Sequence, residues 1–326
     1  MALGPMLARR RELAVKQEAV NGTAETLLHD GTESKFRIYD AKFVTEIGIF
    51  ERITQRFTLS RLTHLVTMKP ARIQFKIELR RSAGAGVEDE WGKLLTACGM
   101  FLTTVAVTNN KYTPFKSLTD QNAKALTMWL YIDSVRLGIA GAMGNVKFMG
   151  KVGEPMFMEF DFVGRFLGIV EDALNVVTHE AGAVEAFQGV ALVYGTGAGA
   201  SVIASSVELN MNNDVQLRDS VSQAEGIHSA IITARRPELV IDPELQWDTA
   251  GSEQDFYSQL SNGTAIAVTF RKGALATTTV DFNCPNAQVT SISDDERKGM
   301  QVAGITMALN ASTDALGDDE VTVTKT

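Results

Sequence analysis

The sequence predicts a mainly β protein made of two tandem β-sandwich domains, each flanked by a short α-helix. The first observation is the segment Ala71–Arg81, where apolar and polar residues alternate with a period of two. This is the pattern of a strand with one buried and one wet face. The second is that an alternating segment, a glycine break and a short helix-like segment recur in the same order from Leu239. The third is that most other patterned segments are also strand-like.

The repetition has a constant spacing. Glu78-Leu79 corresponds to Glu244-Leu245, and Leu94 corresponds to Leu260, in each case 166 residues further on. A duplicated domain favours an assembly built from pseudo-equivalent units. The predicted divisions are an extended N-terminal segment at 1–45, a first domain at 46–170, a junction at 171–200 and a second domain at 201–326.

Each element of the first half is predicted from its local pattern. A short helix is expected near Leu7–Val20, and strands or a hairpin arm at Glu46–Ser60. Glu88–Cys98 predicts a short helix, because acidic residues favour a helix start and Gly99 favours its end. The remaining expectations are a strand at Lys124–Arg136, a loop or glycine-broken hairpin at Gly138–Gly153, and an alternating strand at Pro155–Arg165.

In the second half the same plan is expected after a glycine- and alanine-rich stretch at Leu167–Ala200. A short helix is predicted near Ser252–Ser261, and the tail from Asp318 is expected to end as a short edge strand. The predicted strands are Ser205–Met211, Ile227–Arg235, Leu239–Trp247, Ala265–Phe270, Ala276–Asn283 and Gln301–Asn310.

Composition excludes several classes of protein. The chain has 326 residues with 45% apolar and 21% charged content, which is typical of a globular protein large enough for two domains. No apolar run approaches the roughly 20 residues that span a bilayer, and no signal peptide is expected. With only Cys98 and Cys284, a disulfide framework or a thiolate metal site is not expected.

Charge is distributed unevenly between the halves. Net charge is −8, with +6 over residues 1–170 and −14 over residues 171–326. The basic residues are spread through strand-like segments, which does not favour nucleic-acid readout. Two oppositely charged domains could instead face each other across a subunit interface.

Candidate catalytic and ligand-binding motifs are weak. Gly195–Ser201 lacks the Gly-x-Gly-x-x-Gly spacing, and a strand rather than a helix is expected after it, so a linker is the better interpretation. Glu88–Glu90 is better explained as a charged helix start, and Asp294–Glu296 as an acidic turn rather than a calcium loop. The histidines, none at ligand spacing, are His29, His64, His179 and His228. We therefore expect no catalytic site, cofactor or metal, and no enzyme activity.

A group of methionines lies near the end of the first half. Core filling and adaptable packing at a subunit interface both explain it. The four are Met143, Met149, Met156 and Met158.

Two motifs lie within roughly the first hundred residues. A Lys-x-Glu-x-x-x-Gly-Thr opening occupies Lys16–Thr23, and a Trp-x-x-Leu-Leu-x-x-Cys-Gly segment follows a strand and glycine turn at Trp91–Gly99. In these motifs the chain resembles the tail tube (major tail) proteins of long-tailed bacteriophages. The second repeat has Leu260 and Gly263 but no cysteine, so its equivalence depends on order and alternation.

The resemblance implies a tube fold in both domains, and a structural role. Six such domains, and hence three chains, would close a pseudo-hexameric ring by pairing sheets edge to edge, and rings would stack into a hollow tube that DNA passes through. The implied partners are other copies of the chain, a tape measure protein, and tail terminator or distal tail proteins, without membrane insertion. The implied location is the virion tail, assembled in the host cytoplasm.

Two groups of residues are expected to serve such a ring. Glu159 and Asp161, on the wet face of their strand, are candidates for lining the lumen, because an acidic wall would repel the DNA backbone. The basic face of the repeated strand is the candidate inter-subunit contact, through Arg72, Lys76 and Arg80.

Other functions stay open. A distal tail, baseplate or secretion-tube protein of the same fold would form a single ring. A duplicated β-sandwich binding module would need an exposed aromatic set, which Trp91, Trp129 and Trp247 do not visibly form.

Overall fold

The structure is a computed structural model. It describes residues 7, 9–29, 31, 33, 35–58, 60–80, 87–105, 109–115, 124–179, 182, 184–189, 191–195, 200–245, 255–272, 279–312 and 317–325. Strands make up nearly all the regular structure of these residues, so the prediction of a mainly β protein is confirmed.

The elements follow in chain order. In the first half they are β1 (Arg11–Gln17), β2 (Ile38–Thr45), β3 (Ile49–Phe50), β4 (Leu65–Val66), β5 (Pro70–Glu78), α1 (Gly92–Ala97), β6 (Met100–Val105), β7 (Asn109–Pro114), β8 (Leu126–Ile132), β9 (Val135–Lys151) and β10 (Phe157–Glu171). In the second half they are β11 (Leu192–Tyr194), β12 (Ala200–Ser201), β13 (Ala204–Asn210), β14 (Asn213–Asp219), β15 (Ile227–Arg235), β16 (Glu238–Pro243), α2 (Phe256–Asn262), β17 (Ala265–Lys272), β18 (Val280–Arg297), β19 (Met300–Leu309) and β20 (Thr322–Lys325).

Both halves arrange their strands in the same order. Across the sheet the first half runs β1-β8-β9-β10-β5-β2, and the second runs β11-β17-β18-β19-β16-β13. Because β13 also pairs with β9, the two sets form one continuous antiparallel sheet. The tandem tube-domain interpretation and its boundaries at 46–170 and 201–326 stay predictions.

The predicted alternation of β5 is confirmed. Its residues Ile73, Phe75 and Ile77 are buried, while the residues between them are half-exposed. On β10 the face that carries Phe160 and Phe162 is buried in the same core, and the Phe75 ring stacks on both, with centroid distances of 5.5 and 6.0 Å. Area buried by such rings is a major source of core stability.

The helix predicted near Leu7–Val20 is wrong. Arg11–Gln17 forms β1, which pairs antiparallel with β8 along its whole length. Leu13, Ala14 and Val15 are all fully buried, so both faces of the strand are covered. Local helix propensity is a weak prior, and pairing with burial on both faces outweighs it.

The prediction of a loop or a glycine-broken hairpin at Gly138–Gly153 is also wrong, because most of this segment belongs to the unbroken 17-residue strand β9. Its glycines make room for aromatic rings. A Cβ at Gly138 would lie 2.6 Å from the Trp129 ring, and one at Gly150 would lie 3.0 Å from the Phe187 ring. Glycine in a strand often marks such a close approach.

Two strand ends differ from expectation. The strand predicted at Lys124–Arg136 ends earlier, because Asp133 has a φ of 53° and turns the chain from β8 into β9. The tail does form a strand, but β20 lies between β7 and β18 and is therefore not an edge.

Both short helices are present, with different starts. The second begins after Asp255, whose carboxylate accepts from Ser258 N at 3.1 Å, and it ends at Gly263 in a left-handed conformation. The first ends at Cys98 and Gly99, and Gly99 has a φ of 86°. Glu88–Glu90 lies before the first helix rather than in its first turn, so the helix-dipole explanation of these acids is wrong.

Asp89 instead forms a buried ion pair. Its carboxylate lies 2.9 Å from Lys325 Nζ, and both side chains are fully buried. The same ammonium donates to Val87 O at 2.8 Å. The pair attaches β20 to the segment that precedes α1.

Replacing one partner of this pair should destabilise the protein strongly. Lys325→Met leaves the Asp89 charge buried beside an apolar chain, and should lower the free energy of unfolding by about 3–5 kcal/mol in urea denaturation. Asp89→Leu with Lys325→Met should recover most of that loss. The exposed Lys111→Met is the matched control and should change stability by less than about 0.5 kcal/mol. A loss below about 1 kcal/mol for Lys325→Met would contradict the expectation.

Glu12 on β1 is a second partly buried acid. Burial raises the pKa of Glu12 to about 7. Its Oε1 lies 3.4 Å from His179 Nε2. The carboxyl therefore holds a proton in the folded state at pH values where an unfolded glutamate has lost it.

Stability should fall with rising pH because of Glu12. The stabilisation from its raised pKa is fully present below about pH 4.5 and is lost as pH rises through about 7. In urea titrations, wild type minus Glu12→Gln should lose up to about 1.4 kcal/mol per pH unit across that window. Measuring the same difference in a His179→Gln background removes the contribution of the imidazole that contacts Glu12. A difference that does not change between pH 4.5 and 7 would show that Glu12 titrates normally.

Candidate assembly surfaces

One interface joins the two halves, and we call it the seam. It consists of backbone pairing between Ser206–Asn210 of β13 and Lys147–Lys151 of β9. Lys147 Nζ lies 2.6 Å from Glu208 Oε1, and Asn145 Nδ2 donates to Asn210 Oδ1 at 2.7 Å. The seam thus provides hydrogen-bond partners for the backbone of two strand edges, and it brings complementary polar side chains into contact.

A hairpin follows β13 and packs on the first half; we call residues 213–235 the second arm. It contacts β9 and β10 through a small apolar cluster that includes Met143 and Val163 on the sheet and Val215 and Ile232 on the arm. Asn213 Nδ2 at its base donates to Gly144 O at 3.0 Å. The arm therefore covers a sheet surface of the preceding half.

The first half has an equivalent hairpin at residues 47–69, the first arm. Its pairs Ile49–Val66 and Phe50–Leu65 match the second arm's pairs Val215–Ile232 and Gln216–Ile231 at the same spacing of 166 residues. Part of Glu46–Ser60 therefore forms the predicted hairpin, and the two arms share one register.

The strands on either side of each arm also match at this spacing. Phe43 pairs with Ile73 in the first half, and Leu209 pairs with Leu239 in the second. A register irregularity falls at the same place in both, after Tyr39 in β2 and after Ala204 in β13. Since β13 forms the seam, β2 is the first-half strand equivalent to the seam strand.

Two of the strand edges that lack partners among the described residues correspond to the edges that the seam joins. β2 pairs with β5 on one side only. The end of β18 from Thr290 to Arg297 pairs with β19, and its other side, the side on which β17 pairs further back, is open. This end of β18 corresponds to the part of β9 that pairs with β13. Asp294–Glu296 lies here as exposed strand, so the prediction of an acidic turn is wrong.

The residues predicted to serve a ring lie together. Arg72 Nη1 binds Asp161 Oδ2 at 2.7 Å, and Glu159 lies on β10 between Lys76 of β5 and Lys147 of β9. Arg72, Lys76, Glu159 and Asp161 thus share the wet face of one sheet, although they were assigned to two different surfaces. Arg80 lies beyond β5, mostly buried, with its guanidinium paired with Glu78.

The methionines divide between two environments. Met156 and Met158 are buried in the main core, which agrees with core filling. Met143 packs under the second arm, and Met149 lies opposite Glu208 in the seam. These two contribute to the contact between halves.

The opening motif builds a buried polar cluster. Glu18 accepts from Gly22 N and Gly141 N, each at 2.6 Å, and from Thr127 Oγ1 at 2.9 Å. Burial raises the pKa of Glu18, against the effect of these hydrogen bonds. Gly22, at a φ of 88°, leaves no room for a Cβ beside His228, which lies near the tip of the second arm at the start of β15. The motif therefore fastens β1 to the hairpin of β8 and β9.

The second motif is also structural. Trp91 is buried, and its Nε1 donates to Arg80 O at 2.8 Å. Leu94, Leu95 and Cys98 are fully buried, and burial raises the pKa of the Cys98 thiol well above its usual range. A shielded, protonated thiol is inert.

The remaining candidates form no site in the described part of the chain. No group of histidine, cysteine and carboxylate residues there could hold a metal ion. The centre of Gly195–Ser201 lies outside the described residues, and the strand β13 follows it as expected. Trp91 and Trp129 have different environments: Trp91 is buried, and Trp129 stacks under the guanidinium of Arg136. Trp247 lies outside the described residues.

No protein-family model matches this chain, and no curated protein matches it significantly. None of the described helices has the length and apolar character needed to cross a membrane.

Proposed function

We propose that this chain is the structural subunit of the tail tube of a long-tailed bacteriophage, and that three copies close a pseudo-hexameric ring. The observation that carries the proposal is the seam, in which the second half adds its edge strand to the first half. Each ring would then contain six equivalent edge contacts, three within chains and three between them. Stacked rings would form a tube, in contact with tape measure and terminator proteins at its ends.

The open edges supply the contacts between chains. An exposed strand edge is a template for pairing with another chain, and closure into a ring removes it. The edge of β2 is equivalent to that of β13, and the end of β18 is equivalent to the seam part of β9. Repeating the seam therefore places β2 of one copy against β18 of the next, as a heterologous contact that closes after three copies.

Transferring the seam register predicts which residues meet. In the seam Glu208 lies opposite Met149, and the counterparts of these residues at the open edges are Lys42 and Asp295. Ser206 lies opposite Lys151, and their counterparts are Asp40 and Arg297. Both new pairs have opposite charges, which favours this register over slipped alternatives. The acidic end of β18 thereby receives a basic partner, in agreement with the opposite net charges of the halves.

The wet face of the joined sheet would line the lumen. In the first half its charges alternate, with Asp161 bound to Arg72 and Glu159 beside Lys76. The second half adds carboxylates on the same face, namely Glu208, Glu238, Asp242 and Glu244. Lys147 pairs with Glu208, and Arg297 pairs with both Asp242 and Glu244, so part of this negative charge is neutralised. The remaining excess of acid supports a wall that repels the DNA backbone and lets it slide.

Charge reversal tests the edge contact. Lys42→Glu should weaken self-association about tenfold, because an opposed pair becomes a like-charged one. Asp295→Lys should do the same, and the double variant should recover assembly; an equimolar mixture of the two single variants cannot alternate around a ring of three and should recover it only in part. Sedimentation velocity measures the trimer fraction. Lys111→Glu, an exposed strand position away from both edges, is the control. Equal weakening in the single and double variants would refute the register.

Electron microscopy of the assembled protein tests the function itself. Hollow tubes of stacked rings, with rings of three times the 35.4 kDa chain mass, are expected. Single rings that never stack would favour the distal tail, baseplate or secretion-tube role. A chain that stays monomeric at millimolar concentration would favour the binding module and sink the proposal.

A further inference from the structure

The first arm carries an apolar surface that no described residue of its own chain covers. Ile49 and Val66 are 61% and 54% exposed, and Phe50 and Leu65 are 58% and 50% exposed. Near the tip Ile53 and Phe57 are almost fully exposed. Exposed apolar clusters of this kind mark interaction sites.

The second arm shows what such an arm packs against. Val215 and Ile232, the counterparts of Ile49 and Val66, are partly buried against the first half. Ile232 Cδ1 lies 3.1 Å from the position that a Cβ on Gly99 would occupy, at the end of α1. The seat of the second arm is therefore the end of α1 with the adjoining surface of β9 and β10.

The second half has an equivalent surface at the end of α2, and no described residue covers it. At the end of α2, Gly263, Thr264 and Ala265 are exposed, whereas Gly99 and Met100 at the end of α1 are buried. Beside them Gln288 of β18 and Ala308 of β19, the counterparts of Met143 and Val163, are half-exposed. Each chain thus has a first arm that packs on no described surface, and an equivalent surface at the end of α2 that no described arm covers.

We infer that the first arm of each copy docks on the second half of the next copy, with Ile49 and Val66 packed over Gly263–Ala265 and the adjoining surface of β18 and β19. The inference rests on the self-association proposed above, but not on the tube. The two vacant surfaces lie on opposite halves, so one copy cannot satisfy itself while its halves hold the seam. The arm contact would lie beside the β2–β18 contact, as the second arm lies beside the seam.

The two arms differ in the length of their paired strands, and this difference agrees with the docking. The second arm, which is seated, pairs over strands of seven and nine residues, while the unseated first arm pairs over two residues on each strand. A two-stranded hairpin is marginally stable until it packs against another surface. Docking should therefore extend the strands of the first arm.

Cysteine crosslinking tests the contact directly. Val66→Cys protein mixed with Thr264→Cys protein should give a covalent dimer with a short bismaleimide. Each protein alone should give none. Val221→Cys replaces Val66→Cys in the control, because Val221 is fully exposed at the tip of the second arm. The native Cys98 and Cys284 are buried and common to every sample.

Polar substitutions test the energetics. Ile49→Ser and Val66→Ser should each weaken self-association about tenfold by sedimentation, through the loss of buried apolar area. Their monomers should melt as wild type does, because both positions are exposed in the single chain. Val221→Ser should change neither quantity. Ile232→Ser, at the equivalent seated position, should lower the melting temperature of the monomer instead.

The outcomes separate this inference from the proposed function. Trimers that form normally without the Val66–Thr264 crosslink, and that tolerate both serine variants, overturn the arm docking and leave the ring in place. Crosslinked trimers that never stack support the arm docking and count against the tube. A chain that never associates overturns both.

Discussion

Strand edges are the constraint on which the structure of this protein depends. A sheet this long must either end in exposed backbone donors and acceptors or pair them with something. Within the chain the seam removes one such pair of edges by joining β13 to β9. The equivalent pair, on β2 and at the end of β18, is left open among the described residues. The same sequence plan therefore creates a satisfied interface and a vacant copy of it.

The side chains around these edges follow from the same constraint. The end of β18 is acidic and exposed at Asp294–Glu296, where its counterpart in β9 carries Phe148 and Gly150 and is buried. Charged residues on an open edge discourage pairing with arbitrary strands and permit pairing with a basic one. Lys42 on β2 meets that requirement. Asp294–Glu296 supplies three of the acidic residues of the second half, so the charge difference between the halves arises in part at this edge.

Buried polar groups hold the rest of the chain to this sheet. Glu18, just after β1, accepts one hydrogen bond from β8 and one from β9, and the Asp89–Lys325 pair attaches β20 beside α1. Such groups are costly unless they are fully paired, so each fixes one arrangement of the segments it connects. The buried residues of the two motifs, Lys16–Thr23 and Trp91–Gly99, are therefore explained by their role in the fold.

The sequence by itself determined the features that depend on local periodicity. Alternation identified β5 and β10 and their buried faces, the glycine stops identified the ends of α1 and α2, and the 166-residue spacing identified the repeated plan. Tertiary structure decided whatever depends on partners distant in the chain. β1 is a strand because it pairs with β8. Gly138 and Gly150 lie within β9 because aromatic rings of other segments pack against them. Asp294–Glu296 lies on an open strand edge. Periodicity indicates which face of a segment is buried. Strand pairing, and whether a strand edge has a partner, depend on residues distant in the chain, as in the pairing of β1 with β8.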